Sequence, residues 1–349
     1  MFRRSTKKGN YAYTVARVKA KKSKLLGEED YNKMLMMTVP EISRYISEVG
    51  YAKEMTDLAA RLSGLDLLEH ATYSNMAKVF STILSASTGE LNEAVSAYLR
   101  KWDIWNLKVI LRGKSYGLDA ESIREDLVPA GSLGAESLDT LISLDSNDDV
   151  MANLPKVAHI TIPSDVIAAY QASKNLGEIE DFLDKFHYER MIASINPNTR
   201  PARLFLGYIR NEIDVKNFET ILKLKFEGIY GERVLKYMIS GGRHIDSKML
   251  AQLANLETVE ATLSEVSELG FYEDIKDSVD HTTLRDMMTG LKKYKMRRVE
   301  KFSSMYPLSI IPVLDYMIHK EVEVNNVRAI ARGTESGLDK ETIKGLLVI

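Results

Sequence analysis

A motif that recurs three times constrains this chain more than any other feature. It reads DIWNLKVILRG from Asp103, DVKNFETILKL from Asp214 and EVNNVRAIARG from Glu323. In each copy an asparagine follows the acid by three positions, a glycine follows further on, and the copies lie about 110 residues apart. The asparagines and glycines are Asn106, Asn217, Asn326, Gly117, Gly228 and Gly337. This regular recurrence indicates that one unit was duplicated.

The apolar residues of the motif have a helical spacing. In the first copy Ile104, Leu107, Ile110 and Leu111 fall on one face of a helix, and the other two copies repeat this spacing. The pattern predicts a helix that ends near Gly113 and, in the third copy, near Gly333, because glycine accepts the left-handed conformation at a helix end. It also predicts new helices capped by Asp119 and Asp339.

The repeat divides the chain into four parts. A basic N-terminal arm, 1–23, precedes three helical modules at 24–131, 132–243 and 244–349. SEVGY from Ser47 recurs two periods later as SELGF from Ser267, whereas the middle module reads VAHITIP at 157–163, which resembles a strand. With few proline and glycine residues elsewhere, the pattern predicts an all-α fold.

The size of the modules limits how they can assemble. Units of about 110 residues are longer than the repeats of solenoid proteins. Three copies can instead close head to tail, because heterologous contacts form a ring when the rotation between copies closes. We therefore expect a pseudo-threefold funnel or ring with a central hollow.

Charge and composition exclude several classes of protein. The 349 residues carry a net charge of −2 and contain no cysteine, which disfavours a general polyanion binder and excludes thiolate chemistry. No apolar run is long enough to span a bilayer. The first 24 residues hold nine basic side chains and no acid. Arg3, Arg4, Lys7 and Lys8 of this arm are candidates for contact with anionic lipid or with acidic loops of a partner.

The polar positions of the motif have two interpretations. They cap and connect neighbouring helices, or they line a common axis as a ring of like groups. The basic residue near the end of each copy either matches the helix dipole or forms a basic collar. The positions concerned are Asp103, Asn106, Arg112, Asp214, Asn217, Lys223, Glu323, Asn326 and Arg332.

Short motifs give only weak alternatives. The stretch Gly113–Gly117 matches the end of a phosphate-binding loop and the G-x-S-x-G pattern of hydrolases, but it lacks the first loop glycine and follows a helix rather than a strand. A nucleic-acid-binding helical repeat is the other alternative, disfavoured by acids in the helix after Gly117. The six histidines show no metal-ligand spacing. The residues thus predict no catalytic site, cofactor, metal or small-molecule substrate.

Longer stretches resemble a known family. YLRKWDIWNLKVILRGKSYGLDAESI from Tyr98, NYAYTVARVKAKKSKLL from Asn10 and EVGYAKEM from Glu48 resemble the C subunit of archaeal A-type ATP synthases, which is similar to the d subunit of V-type ATPases. The resemblance covers nearly the whole chain.

The resemblance implies a role in a rotary machine. It implies a non-catalytic component of the central stalk, peripheral on the cytoplasmic face of the membrane. Its partners would be the proteolipid ring of the membrane sector and the helical subunits of the rotor shaft, so that it couples ion translocation to ATP synthesis or hydrolysis. The sequence leaves open which ion is coupled, which face meets the ring and which side chains touch the shaft.

Overall fold

The chain folds entirely into helices in the part that the structure describes. This structure, a computed structural model, describes residues 8–269, 272–280 and 283–349. Every regular element in these ranges is a helix, which confirms the prediction of an all-α fold. None of these helices combines the length and the hydropathy that a membrane-spanning segment needs.

The helices follow a similar order in the three sequence repeats: short helices, a long helix, the motif helix and a short last helix. The arm contains α1 Tyr11–Lys22. The first repeat region contains α2 Glu28–Met34, α3 Val39–Ile46, a wide turn Ser47–Tyr51, α4 Ala52–Leu58, α5 Gly64–Ala86, α6 Gly89–Leu99, α7 Lys101–Ser115 and α8 Ala120–Glu125. The second contains α9 Ala135–Ile142, α10 Asn147–Val157, α11 Ser164–Ser173, α12 Gly177–Ser194, α13 Arg200–Phe226 and α14 Glu232–Leu235. The third contains α15 Ser247–Asn255, α16 Val259–Ser267, α17 Tyr272–Val279, α18 Leu284–Met305, α19 Ile311–Glu335 and α20 Lys340–Leu346.

The motif helices end later than predicted. Gly113 and Gly333 lie inside α7 and α19, so their assignment to the left-handed end of a helix was wrong. Their role is close packing: a Cβ atom at Gly113 would lie 2.5 Å from Ile123 Cγ1, and one at Gly333 would lie 2.6 Å from Ile343 Cγ1. The missing side chain therefore lets the short helix that follows pack directly against the motif helix.

The left-handed residue is instead the glycine that follows each asparagine of the motif. Gly117, Gly228 and Gly337 have φ angles of 69°, 72° and 68°. Beyond each of them an N–H group reaches back to the last helical turn, as Leu118 N does to Gly113 O at 2.9 Å. This arrangement satisfies carbonyl groups that the end of a helix leaves without partners.

The short helices begin as predicted. The Asp119 carboxylate accepts a hydrogen bond from Ser122 N at 2.8 Å, and Asp339 accepts one from Thr342 N at 2.9 Å. Both side chains therefore cap helix N-termini, which confirms this prediction.

The strand-like run at 157–163 forms no strand. It leaves α10 at Val157 and passes as a loop to α11, with His159 in the left-handed region at φ 56°. A strand needs a neighbouring strand to pair with, and the described residues contain none. The run occupies the position of the wide turn in the first module, where Gly50 has φ 121°.

Three outer hydrophobic cores combine consecutive sequence repeats. One joins Leu107 and Ile110 of α7 to Leu141 of α9 and the helices that follow it. The second joins α13 to α15–α18 in the same manner. In the third, Val327 and Ile343 from the C-terminal region pack with the N-terminal helices α2–α5. Each core thus contains the end of one repeat and the beginning of the next, and the third joins both ends of the chain.

A fourth core contains residues from the arm and from all three repeats. It gathers α1, the C-terminal half of α5, α6, and parts of α12, α13, α18 and α19. The module boundaries at 24–131, 132–243 and 244–349 stay a prediction about sequence repeats, and the hydrophobic cores extend across them.

Candidate functional site

The asparagine of each motif makes the same pair of hydrogen bonds. Asn106 Nδ2 donates to Val128 O at 2.9 Å, and its Oδ1 accepts from Val128 N at 2.8 Å. Asn217 pairs in this way with Ile239, and Asn326 with Val348. All three asparagines are buried. One side-chain amide thereby satisfies both polar groups of one buried residue's backbone, as burial demands.

The acid of each motif binds backbone N–H groups at the start of the next repeat. Asp103 accepts from Ser132 N at 3.0 Å and Leu133 N at 2.8 Å, and Asp214 accepts from Arg243 N and His244 N. A glycine makes room for each aspartate, because a Cβ atom at Gly131 would overlap Asp103 Oδ1. Gly242 stands in the same relation to Asp214.

The third acid connects the last motif to the beginning of the chain. Glu323 Oε2 accepts from Leu26 N at 2.7 Å, and Oε1 accepts from Tyr51 Oη at 2.5 Å and Lys320 Nζ at 2.7 Å. Leu26 occupies the place in the first repeat that Leu133 occupies in the second. The same contact therefore recurs from first to second, second to third and third to first repeat. We name this contact the acid clasp.

The basic residue of the motif forms an ion pair in two of the three copies. Arg112 binds Glu180 of α12 through two hydrogen bonds, 2.7 Å from Nε and 2.5 Å from Nη2. Arg332 binds Glu69 of α5 in the same fork arrangement. Lys223 is exposed, and its pKa is lowered by partial burial and by neighbouring lysines, with Glu219 opposing.

One turn earlier, a further ion pair joins the motif helix to a neighbouring long helix in the first and second copies. Lys108 Nζ lies 2.6 Å from Asp184 Oδ1 between α7 and α12. Between α13 and α18 the charges are reversed, with Lys295 Nζ 2.8 Å from Glu219 Oε1. Each motif helix therefore makes charged contacts with the long helix that precedes the next motif. We name each row of such contacts a polar seam, and the side chains that form it differ from one seam to the next.

The structure brings together three side chains that the sequence did not identify as a site. Lys101, Glu212 and Glu321 each stand two positions before the acid of their motif. Lys101 Nζ lies 2.5 Å from Glu321 Oε1. The pKa of Glu321 is raised by burial and by the charge of Glu212, with Lys101 opposing. Glu212 Oε2 is buried without a hydrogen-bond partner in the part of the chain that the structure describes. We name these three residues the axial cluster.

Tyrosine side chains surround the axial cluster. Tyr188 Oη donates to Glu212 Oε1 at 3.0 Å. Burial, followed by the charge of Glu212, raises the pKa of Tyr188 and Tyr208 well above the ordinary range. Both rings nevertheless keep part of their surface open to water. The axial cluster and these two tyrosines therefore form a polar group that is partly covered by protein and partly reached by water.

Sequence reasoning missed this cluster because its members differ in type. A search for one recurring letter at each period finds the acids and asparagines, but it passes over a position that reads Lys, Glu and Glu. The available signal was the period itself, since equivalent positions would meet around a common axis if the repeats close into a ring.

The first seven residues of the basic arm lie outside the described residues. Arg3, Arg4 and Lys7 fall outside the described residues, and Lys8 is exposed. The described chain becomes helical at Tyr11, where α1 begins.

The stretch Gly113–Gly117 lies at the C-terminal end of a helix rather than at the N-terminal end where phosphate loops sit. Lys114 Nζ donates to the carbonyl groups of Ile142, at 2.8 Å, and Leu144. Ser115 Oγ accepts from Asn147 Nδ2 at 2.7 Å. Both side chains thus hold α7 against the α9–α10 region. In the described ranges no three His, Asp or Glu side chains are placed to share a metal ion.

These observations define a class of protein: an all-α chain in which a motif helix recurs three times and binds backbone groups at the start of another repeat each time. Comparison with known families is consistent with this class. Residues 14–346 match the family described as ATP synthase (C/AC39) subunit, and the chain belongs to that family.

Curated relatives are similar over almost their entire length. The chain is 36% identical to the C subunit of the A-type ATP synthase of Methanococcoides burtonii, over 99% of this chain and 96% of that protein. It is 35% identical to the protein of the same name from Methanosarcina acetivorans, over 98% and 94% of the two chains. Its identity to the Archaeoglobus fulgidus protein of that name is 33%, over 98% of each chain.

Proposed function

We propose that this chain is a non-catalytic central-stalk component of an A-type ATP synthase. In this role it joins the proteolipid ring of the membrane sector to the helical rotor shaft, on the cytoplasmic face of the membrane. Family membership over residues 14–346 is the observation that carries this proposal. Coupling of this kind is mechanical: it demands stiff packing and two binding surfaces rather than a catalytic group.

The acid clasps support a pseudo-threefold funnel. The contact made by Asp103, Asp214 and Glu323 recurs at all three junctions, including the one between the last repeat and the first. Buried charge-assisted hydrogen bonds of this type are among the strong ones in proteins. A closed set of junctions resists torque better than an open row, because no junction can be peeled away from a free end.

We propose that the rotor shaft is seated at the axial cluster, which a closed funnel would place beside its central hollow. The cluster has two acidic side chains and one basic side chain, so acid is in excess. Glu212 Oε2 is a buried hydrogen-bond acceptor. A buried carboxylate oxygen without a partner is costly, so an entering donor would be bound strongly. The chemistry fits a lysine, arginine or amide side chain at the tip of a helical shaft.

Co-purification tests the partners directly. A tagged chain expressed with the complex is expected to bring down the shaft and ring subunits. Glu212→Lys places a cation where a donor should enter, and we expect it to lower recovery of the shaft at least about tenfold while the ring is retained. Glu232→Lys, on exposed α14, is the matched control. Equal recovery of the shaft by both variants would argue against this seat.

The basic arm is proposed to contact the membrane assembly. Anionic lipid attracts a juxtamembrane cation by about 1 kcal/mol, and salt screens the attraction. Deletion of residues 1–8 removes Arg3, Arg4, Lys7 and Lys8. We expect weaker binding to ring-containing vesicles and a flatter dependence on salt. Unchanged binding at both low and high salt would leave the arm without this role.

The isolated chain is proposed to lack ATPase and esterase activity of its own. The bonded positions of Lys114 and Ser115 support this proposal, since each side chain already serves packing between helices. Steady-state assays of the purified chain should show only background hydrolysis. Turnover that Ser115→Ala abolishes would contradict the proposal and favour a hydrolase.

A further inference from the structure

A cavity of about 330 Å³ lies where the first repeat meets the second. Its walls come from the junction of α6 and α7, from the loop after α10 and from α12. The charged or ionisable lining residues are Arg100, Asp103, His159, His187 and Arg190. The volume is at the lower end of the range for small-molecule sites.

The cavity is electropositive. Burial and the charge of Arg190 lower the pKa of Arg100, and Asp103 opposes them. Asp103 is already engaged, because its carboxylate accepts from Ser132 N, Ser132 Oγ and Leu133 N. Two guanidinium groups therefore face one carboxylate whose oxygens are occupied by the acid clasp.

Arg190 is held only loosely by the protein. Both hydrogen bonds described for it come from Nη1, to Ala158 O at 3.5 Å and His159 O at 3.4 Å. These distances lie beyond the usual range for N–H···O bonds. Its guanidinium also lies 5.6 Å from the centroid of the Phe186 ring. An arginine in such a setting retains donor capacity for a ligand.

The equivalent site between the last repeat and the first is filled by the protein itself. Lys320 and Glu323 stand there in the places of Arg100 and Asp103. Lys320 Nζ donates to Tyr51 Oη at 2.9 Å and to Glu323 Oε1 at 2.7 Å, and it lies 4.3 Å from the centroid of the Tyr51 ring. The phenol thus supplies both volume and an acceptor for the buried cation.

The middle repeat lacks that phenol. Gly50, with φ 121°, precedes Tyr51, and His159, with φ 56°, precedes Ile160. Equivalence of the two left-handed residues places Ile160 where Tyr51 stands. Isoleucine is shorter and has no hydroxyl, so the site between the first two repeats has a cavity, lined by two arginines, where its counterpart is filled by the Tyr51 side chain.

We propose that this cavity binds a small oxyanion of the phosphate class between Arg100 and Arg190. A planar guanidinium binds two oxygens of such an anion at once, and a doubly negative ion matches two arginines. The site goes beyond the proposed stalk function and does not depend on it. Inorganic phosphate and pyrophosphate are the two probes, because the cavity volume admits either.

His187 is consistent with a positive cavity. Burial, followed by the charge of Lys101, lowers its pKa to about 4, with Asp184 opposing and Arg100 and Lys108 adding to the decrease. The ring is therefore neutral at physiological pH and contributes no further cation. A bound anion would offset these positive charges and raise the pKa of His187, which NMR titration can follow.

Calorimetric titration of the full chain with each probe tests the proposal. We expect saturable binding of phosphate or pyrophosphate in the presence of about 0.1 M chloride, and at least about tenfold weaker binding by Arg190→Gln. Tighter binding of phosphate identifies the free ion as the better ligand, and tighter binding of pyrophosphate identifies a larger phosphorylated species. Absence of saturable binding for both probes would overturn the proposal.

Arg203→Gln is the matched control for this titration. Arg203 Nη1 also donates to two backbone carbonyls, Pro197 O and Asn198 O at 3.3 Å each, and it does not line the cavity. Its replacement should leave anion binding unchanged. If Arg190→Gln and Arg203→Gln bind the anion equally well, the arginine pair is not the site.

A second variant fills the cavity without removing a charge. Ile160→Tyr supplies the side chain that the equivalent site uses. We expect it to abolish anion binding and to raise the melting temperature, since the phenol would pack and accept from Arg100. Binding as tight as that of the wild type, in a variant with a native circular-dichroism spectrum, would show that the ligand lies elsewhere.

Discussion

At the scale of single residues, the asparagine of the motif fits its buried position because its amide both accepts and donates hydrogen bonds. Oδ1 accepts from one peptide N–H while Nδ2 donates to the carbonyl of the same residue, as in the pair between Asn326 and Val348. An ionised aspartate could not donate, and an apolar residue could do neither. The same letter therefore recurs although the surrounding sequence has diverged.

This chemistry predicts a specific loss of stability. Asn326→Leu leaves both backbone groups of Val348 buried without partners, at about 1–3 kcal/mol each. We expect the free energy of unfolding, measured in urea, to fall by about 3 kcal/mol. Asn325→Leu, at the exposed neighbouring position, is the control and should change it by less than about 0.5 kcal/mol. Similar losses from both would contradict the role of the amide.

His187 predicts a pH dependence of stability. Its pKa is about 4 in the folded protein and about 6.5 when unfolded, so the unfolded state binds the proton first as the pH falls. The contribution of neutral His187 to the free energy of unfolding is fully present above about pH 6.5. It decreases towards pH 4, by at most about 3 kcal/mol. Asp181 acts in the opposite sense over part of this range, because burial and Asp184 raise its pKa to about 6.

The difference between wild type and His187→Gln isolates this effect. Denaturation at several pH values should show the wild type losing stability relative to the variant between about pH 6.5 and 4. A constant difference across this range would mean that His187 has the same pKa in the folded and unfolded states.

Residue patterns predicted the helical caps but not the axial cluster. Asp119 and Asp339 could be assigned because capping depends on local sequence alone. Lys101, Glu212 and Glu321 meet only through tertiary packing, and no local rule links a lysine to two distant glutamates. Gly113 was misassigned for the same reason, since its contact with Ile123 depends on how the next helix packs.

At the scale of helices, the polar seams differ in charge while their geometry is kept. Lys108 on α7 faces Asp184 on α12, whereas Glu219 on α13 faces Lys295 on α18. In the third seam Arg328 of α19 contacts the hydroxyl and the ring face of Tyr73 on α5. These differences favour the correct pairing of similar helices, because a wrong pairing would place like charges together.

A charge exchange tests this seam. Lys108→Glu or Asp184→Lys alone places like charges in contact, and each should lower the free energy of unfolding by about 1–2 kcal/mol. The double variant reproduces the polarity of the second seam and should recover about 1 kcal/mol, the size of a partly exposed ion pair. Strictly additive losses in this double-mutant cycle would show that the two side chains do not interact.

At the scale of the whole molecule, the third outer core joins the two ends of the chain. Ile343 and Leu347 pack with residues of α2, α3 and α5 that precede them by almost the full sequence. The sequence predicted closure of the repeats into a ring or funnel but not the sharing of each core between repeats. Periodicity gives the length of a repeat, whereas the grouping of its helices depends on contacts between repeats.

Removal of residues 340–349 tests this long-range packing. The deletion removes α20 and Val348, the hydrogen-bond partner of Asn326, so apolar faces of α2 and α3 become exposed to water. We expect hydrogen exchange of the amides in 31–55 to accelerate at least about tenfold, while the amides of α9 and α10, which belong to another core, keep their protection. Uniform acceleration in both regions, or none, would contradict a core shared by the chain ends.

The core shared by the N-terminal and C-terminal regions also determines the order in which parts of the protein can fold during synthesis. During synthesis the helices that carry Tyr31, Ile42 and Leu68 leave the ribosome long before the residues that cover them, which lie at 327–347. The two other outer cores can form as soon as the next segment has emerged, because their parts follow one another along the chain. The apolar surface of these N-terminal helices therefore lacks its native cover until residues 327–347 have been synthesised, and it is a surface that a chaperone could bind.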